Sequence, residues 1–294
     1  MPRLVSLIVA ASLAWGPALA AAPYADVRAE WNAPQAPFRI YGSTYYVGTH
    51  GLSAVLLADP AGLILIDGDL PESAPQIAAH IRALGFRVED IRYILNSHAH
   101  FDHAGGIAQL QRLRGAQVVA SASGAFAMEH GGVDPADPQA GVASSYPAVR
   151  DVRTIADGAT LALGALRVTA HYTPGHTPGS TSWTWDACEH GRCEHVVYAD
   201  SLTAVSADGY RFGDPQHPQR AEDFRRAIAT VAALPCDILL TPHPSASNLR
   251  ERLDARTRGQ RPDPLIDANA CRAYAATALK NFDARLQRER APAQ

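Results

Sequence analysis

Apolar and polar positions follow two different rhythms along the first half of the chain. Short apolar runs separated by turn residues predict three strands, at residues 40–47, 53–57 and 63–66. Apolar side chains then recur at helical spacing between residues 72 and 84. Further along, the pattern predicts a strand at 91–95, a helix at 107–114, a strand at 117–120 and a short helix at 121–130.

The second half of the chain repeats this succession of strands and helices. Strands are predicted at 161–163, 167–173, 181–185, 195–199 and 238–240, and helices at 221–233 and 268–286. Sheet-rich runs followed by helices in both halves predict an α/β protein in which two sheets lie between helices, an αβ/βα sandwich. We expect residues 21–294 to form a single domain.

Two segments depart from this pattern. Residues 21–37 are mixed and contain proline, so we expect an extended N-terminal arm. Residues 131–150 are rich in glycine, proline and aspartate and predict a long loop. Long loops in compact domains are usually functional or disordered. Because this loop lies between the candidate metal-ligating segments in the sequence, we expect it to reach over the site described below.

The N-terminus has the pattern of an export signal. Arg3 precedes a short apolar run, and Ala18-Leu19-Ala20 fits the small-x-small rule for signal cleavage. Residues 1–20 therefore predict a signal peptide and a periplasmic protein. No cysteine follows the signal directly, which predicts that there is no lipid anchor, and no other stretch of the sequence could cross a membrane.

The composition narrows the range of partners. The chain has 294 residues, of which 47% are hydrophobic, enough to bury one large core. A formal net charge of -3 gives no electrostatic reason to expect binding to nucleic acid, which would require a basic stripe. We expect a monomer that acts on a small molecule.

Four cysteines in an exported protein predict disulfide bonds. Counting alone allows three pairings among Cys188, Cys193, Cys236 and Cys271. Cys188 and Cys193 flank a predicted hairpin tip, which favours a local bridge and leaves Cys236 to pair with Cys271. The alternative is an additional metal site, because His190 and other metal-binding residue types lie beside these thiols.

The strongest chemical signal is the segment His98-Ala99-His100-Phe101-Asp102-His103. It places four potential metal ligands on the turn between a predicted strand and a predicted helix. Imidazole and carboxylate together suit zinc and its first-row neighbours. A single ion cannot readily use all four groups from so short a loop, so the segment predicts two metal ions side by side.

This H-x-H-x-D-H segment resembles the hallmark of the metallo-β-lactamase superfamily. Three later segments resemble the motifs that follow it in that family, in the same order: Thr173–Ser180, Ala199–Leu202 and Thr241–Pro244. The resemblance covers nearly all of the chain after residue 40. Within the superfamily the combination is most similar to subclass B3, since Ser201 stands where other subclasses place a cysteine ligand.

The resemblance implies a metallo-β-lactamase fold and a centre with two zinc ions per chain. One ion would be held by a first ligand group, His98, His100 and His176. The other would be held by a second ligand group, Asp102, His103 and His243. Three protein ligands with one open position are the pattern of a catalytic zinc site rather than a structural one.

The resemblance also implies roles for the neighbouring residues. Asp102 would be both ligand and catalytic residue, orienting a hydroxide held between the ions. Ser201 and Thr203 would donate hydrogen bonds to a substrate carboxylate, although hydroxyls on loops often bond only locally. Asp200 could bridge the two ions or support the loop from behind the ligands, and we favour the second role.

The activity implied is hydrolysis of β-lactam antibiotics. An exported lactonase or thioesterase on the same two-zinc platform is the alternative, and a zinc-binding module without catalysis is a third reading, because one scaffold hosts many activities. Seven other histidines lack motif context, and we expect them to be surface or packed residues rather than ligands: His50, His80, His130, His171, His190, His195 and His217.

Overall fold

The computed structural model describes residues 25–291, so the predicted signal peptide at 1–20 lies outside the described residues. The strands are β1 Phe38–Tyr41, β2 Thr44–Tyr46, β3 Val55–Asp59, β4 Gly62–Ile66, β5 Ile91–Leu95, β6 Gln117–Ala120, β7 Arg153–Thr154, β8 Thr160–Leu163, β9 Leu166–Tyr172, β10 Thr181–Glu189, β11 Arg192–Tyr198 and β12 Ile238–Leu240. The helices are α1 Ala25–Trp31, α2 Ala74–Ala83, α3 Phe101–Ala104, α4 Ile107–Arg114, α5 Ala122–Glu129, α6 Gln219–Ala233, α7 Leu249–Thr257 and α8 Ala270–Arg290.

Two mixed sheets organise these elements. The first has seven strands in chain order, antiparallel from β1 to β4 and parallel from β4 to β7. The second has five strands in the order β12-β11-β10-β9-β8, of which only β11 and β12 pair in parallel.

Alternation along the strands divides the buried side chains into three apolar layers. On β4, Leu63 and Leu65 pack towards α2 and α4, whereas Ile64 and Ile66 pack between the sheets. On β11, Tyr198 faces the other sheet, and Val197 packs against α6 and α8. This is the period of two that a strand imposes. The predicted αβ/βα sandwich is confirmed.

Three local predictions were wrong. The arm predicted to be extended contains α1, a seven-residue helix stabilised by tertiary contacts such as the bidentate pair of Arg28 with Glu72. The strand predicted at 40–47 is divided at Gly42, which has φ +50° and approaches the Cys188 backbone too closely for a side chain. Helix α7 was missed because only two of its residues are buried and it has no apolar stripe.

The cysteine prediction is confirmed in both pairs. Cys188 and Cys193 lie opposite each other in the β10–β11 hairpin and are bonded. Cys236, before β12, is bonded to Cys271 in α8. No thiol remains free in the described part of the chain, which excludes the additional thiol metal site. Among residues 25–291, no helix combines the length and the apolarity needed to cross a membrane.

Candidate metal centre

The centre begins at the turn that follows β5, and a buried carboxylate holds that turn. Asp67 accepts hydrogen bonds from the backbone N–H and the hydroxyl of Ser97, at 2.8 and 2.6 Å, and from the Asn96 amide at 3.0 Å. The Tyr198 hydroxyl, from the other sheet, also donates to it at 2.8 Å. Burial raises the pKa of Asp67 to about 7, against the lowering effect of its Ser97 partners. These bonds fix the backbone from which His98 projects.

The structure brings the three histidines of the first ligand group together from the ends of different strands. His98 and His100 follow β5, and His176 follows β9. One ligating atom from each lies within 4.8 Å of the others, and all three residues are buried. The ring centroids are 4.7 to 5.0 Å apart. The three imidazoles therefore converge on one point.

The outer nitrogens of two of these rings are held by the segment after β11. His98 Nδ1 lies 2.7 Å from Asp200 Oδ1. His176 Nδ1 lies 2.8 Å from the carbonyl oxygen of Thr203 and 3.1 Å from its hydroxyl. In both rings Nδ1–H donates outwards, which leaves Nε2 as the inward ligand atom. Asp200 thus supports His98 from behind, the role that we favoured.

The third ring is held by the long loop. His100 Nε2 donates to Asp137 Oδ2 at 3.0 Å, so Nδ1 is its inward atom. Asp137 is itself oriented because its other oxygen accepts the backbone N–H of Gln139 at 2.6 Å. The hydroxyl of Tyr146 donates to the carbonyl oxygen of Ala99 at 2.8 Å. The loop at 131–150 therefore reaches the centre, as expected, and supports a ligand.

The second ligand group is arranged around Asp102, in the short helix α3. Asp102 Oδ2 lies 3.3 Å from both His103 Nε2 and His243 Nε2. The rings of His103 and His243 are 4.8 Å apart. Asp102 and His103 also form a compact group with His98, so the two ligand groups are adjacent. His243 is half-buried, whereas Asp102 and His103 are buried.

Unpaired nitrogen atoms show that these residues fit metal ions. His98 Nε2 and both ring nitrogens of His103 are buried without a hydrogen-bond partner. Leaving such atoms unpaired costs about 1–3 kcal/mol each. A metal ion between the rings would satisfy His98 Nε2 and one nitrogen of His103, and the donor set of imidazole and carboxylate suits zinc.

Burial favours the neutral form of the histidines, which is the form that binds metal. Burial and the neighbouring His103 and His100 hold the pKa of His98 well below its ordinary value. Burial, together with His98, lowers the pKa of His176 to about 3. At His100 burial acts in the same direction, but the Asp137 carboxylate outweighs it and the pKa is raised.

A cleft of about 390 Å³ opens over both ligand groups. Ser201 and Thr203, the predicted substrate-binding residues, line it, and Ser201 is buried. Trp31 of α1 forms an apolar wall, with its ring 5.2 Å from that of His243 and 6.3 Å from that of Phe101. The cleft therefore offers metal ligands, hydroxyls and an apolar surface to one small molecule.

Sequence reasoning missed Asp137 and Trp31. Asp137 is one of several aspartates in a loop with no periodic pattern, and Trp31 lies in a segment predicted to be an extended arm. Neither position carries a local signal of its own. The seven histidines without motif context belong to neither metal-ligating group in the described part of the chain.

A sequence model of the metallo-β-lactamase superfamily matches residues 47–243. The chain belongs to this superfamily. It is similar to the solved Rm3 metallo-β-lactamase, at 51% identity and a TM-score of 0.88, covering 92% of this chain and 100% of that one. It is also similar to MEM-A1, a subclass B3 metallo-β-lactamase from a soil metagenome library, at 52% identity and a TM-score of 0.85, covering 88% and 98%. The resemblance to subclass B3 is confirmed.

Other relatives have a different name. A hydroxyacylglutathione hydrolase from Anaeromyxobacter dehalogenans is 37% identical over 177 residues, which are 60% of this chain and 55% of that protein. A second, from Bradyrhizobium sp., is 32% identical over 150 residues, covering 51% and 48%. The chain thus spans about half the length of the curated relatives that it matches.

Proposed function

We propose that this protein is a zinc-dependent β-lactamase that hydrolyses penicillins, cephalosporins and carbapenems. The observation that carries the proposal is likeness over the whole length of solved metallo-β-lactamases, which extends to 100% and 98% of the Rm3 and MEM-A1 chains. Similarity to the hydroxyacylglutathione hydrolase from Anaeromyxobacter dehalogenans covers 55% of that protein. One metal-binding scaffold hosts many activities, so the parts of the chain outside the metal centre distinguish one activity from another. Those parts of this chain match the solved metallo-β-lactamases.

The centre would hold two zinc ions per chain, one in each ligand group. Zinc bound there would supply Lewis acidity and activate water for attack at neutral pH. The convergence of the first ligand group and the unpaired nitrogens of His98 and His103 support this assignment.

Asp102 would act on the attacking water as well as on the metal. Burial opposes its ionisation, but the neighbouring His103 and His243 hold the pKa of its carboxyl well below the usual range. An ionised carboxylate accepts hydrogen bonds and cannot donate them. It can therefore orient the water by accepting a hydrogen bond from it.

The cleft residues would bind the substrate. Ser201, with Thr203, would donate a hydrogen bond to the carboxylate that bicyclic β-lactams share, and Trp31 would contact their apolar side chains. Because the Ser201 and Thr203 contacts use a carboxylate common to all three antibiotic classes, selectivity among side chains should be loose. The serine chemistry of other β-lactamases is excluded, since the only lysine is Lys280, in α8, and no Ser-x-x-Lys motif occurs.

The test is turnover by the purified, zinc-loaded protein. We expect hydrolysis of a penicillin, a cephalosporin and a carbapenem, abolished by a chelator and unaffected by inhibitors that trap a serine. His176→Ala serves as the inactive control. Absence of turnover of all three antibiotics, with clear hydrolysis of a lactone or a glutathione thioester by the same sample, would assign the protein to the alternative activity.

The location and assembly are part of the same proposal. The pattern of residues 1–20 supports an export signal, a mature domain at 21–294 and a periplasmic location, and we expect a monomer. Intact-mass measurement of protein released from the periplasm should show a chain that begins near Ala21. A mass that retains residues 1–20 contradicts the signal, and a dimer mass in light scattering contradicts the monomer.

A further inference from the structure

One short segment supports two of the three rings in the first ligand group. Asp200 contacts His98, and the carbonyl oxygen of Thr203 contacts His176. Ser201 lies between these two supports and lines the cleft. The segment itself belongs to no helix or strand, so its shape has to be set by something outside it.

A single hydroxyl from the C-terminal helix holds the middle of this segment. Tyr274 Oη accepts the backbone N–H of Leu202 at 3.0 Å. The same hydroxyl donates to the backbone carbonyl oxygen of Asp200 at 3.1 Å. The two bonds flank Ser201 on both sides, and together with the bond from the Asp200 backbone N–H to the Ser182 hydroxyl at 3.0 Å they fix the backbone from which Asp200 and Ser201 project.

Helix α8 is well anchored for this purpose. Cys271 lies three residues before Tyr274 in the helix, nearly one helical turn away. It forms a disulfide bond with Cys236. Further along the helix, Arg285 donates to the carbonyl oxygen of Ala204 at 3.1 Å and to the hydroxyl of Ser206 at 2.8 Å. The helix therefore holds the segment and its continuation from one side.

We propose that Tyr274 is a positioning residue of the metal centre. Its hydroxyl sets the Asp200–Leu202 backbone, which aims the Asp200 carboxylate at His98 and the Ser201 side chain into the cleft. The inference rests on the metal centre proposed above and does not depend on which substrate is hydrolysed. The competing role is packing alone, because the Tyr274 ring also lines the cleft and the groove next to it.

Tyr274→Phe separates these roles because it removes one oxygen atom and keeps the ring. Zinc affinity of the full mature chain is measured by competition with a chromophoric chelator, with zinc alone as the probe. We expect affinity for the ion in the first ligand group to fall about tenfold, at the low end of what support residues contribute. The proton resonance of His98 Nδ1–H should also shift.

Tyr172→Phe is the matched control. The Tyr172 hydroxyl donates to the carbonyl oxygen of Ile155 at 2.6 Å and is also half-buried. Tyr172→Phe loses one hydrogen bond to the backbone and Tyr274→Phe loses two, and thermal unfolding records the loss of stability in each. Zinc affinity should remain unchanged in Tyr172→Phe. An equal loss of affinity in both variants would overturn the proposal in favour of a general effect of stability.

A double-mutant cycle with Asp200→Asn tests whether Tyr274 acts through Asp200. If it does, Tyr274→Phe should weaken zinc binding much less in the Asp200→Asn background than in the native one. Equal effects in the two backgrounds, or unchanged affinity in Tyr274→Phe alone, would overturn the proposal. Because no antibiotic is used, a failure here is distinct from a failure of the β-lactamase assignment.

Discussion

The two ligand groups differ in the hydrogen bonds that hold their histidine rings. Every ring of the first group has its outer nitrogen bonded to a protein oxygen, from Asp200, Asp137 or Thr203. In the second group both ring nitrogens of His103 lack a hydrogen-bond partner. The side chain of His243 is 30% exposed and packs on Trp31.

This difference predicts unequal metal binding. Outer hydrogen bonds fix the tautomer and the orientation of a ligating histidine before the metal arrives, and their loss typically costs 10- to 100-fold in affinity. We therefore expect the first ligand group to hold the tighter ion. The rings of the second group would be oriented by the metal itself and by Asp102, so its ion should exchange more readily.

Removing one ligand from each group should give the largest effects. His176→Ala should lose the tight ion and lower turnover by more than about 100-fold, since a ligand matters more than its support. His243→Ala should retain one ion and lose the second. Metal analysis after dialysis, together with turnover of a chromogenic cephalosporin, measures both. One tight ion with full turnover in His243→Ala would refute a two-ion mechanism.

Removing a support should have the next largest effect. Asp137→Ala frees His100 Nε2 and should weaken binding of the tight ion by about 10- to 100-fold, with kcat falling more than KM rises. Asp134→Ala is the matched control, since Asp134 lies in the same loop, is also buried and bonds to the backbone N–H of Ala136 at 2.8 Å. Chelator competition compares the two variants. Equal losses would mean that the loop, and not the bond to His100, is responsible.

The two disulfides offer a comparison of stability. Cys236 and Cys271 are 35 residues apart and Cys188 and Cys193 only 5. Replacing each pair by alanine should lower the free energy of unfolding by about 4 kcal/mol and about 2 kcal/mol, respectively, from the loop lengths. Only the first replacement should also weaken zinc binding, because α8 carries Tyr274. Urea unfolding and chelator competition measure these quantities, and weaker zinc binding after loss of Cys188–Cys193 would contradict this view.

The smallest effect concerns pH in the metal-free protein. Burial, with His98, lowers the pKa of His176 to about 3 in the folded chain, against about 6.5 when unfolded. Between these values the unfolded chain binds the extra proton, so stability falls as pH decreases from about 6.5, by at most about 1.4 kcal/mol per pH unit. His176→Gln should flatten this dependence. Urea unfolding with chelator at pH 7, 6 and 5 measures it, and identical slopes would contradict the assignment.

The sequence by itself determined the features that depend on short spacing. The period of apolar residues located most strands and helices, including β5 and β6 at their observed bounds. Ligand types at fixed intervals located His98, His100, Asp102 and His103 on one turn. The hairpin between Cys188 and Cys193 followed for the same reason, since both cysteines lie within one local element.

Only the tertiary structure decided which residues orient the metal ligands. His98 meets Asp200 across 102 positions in the chain, His100 meets Asp137 across 37, and Leu202 meets Tyr274 across 72. These contacts join loops and a helix that the packing of two sheets brings together. They follow no period and no fixed spacing in the sequence, because each contact depends on how the sheets and helices pack against one another. A local pattern therefore identifies the ligands, and only the packed fold shows which residues orient them.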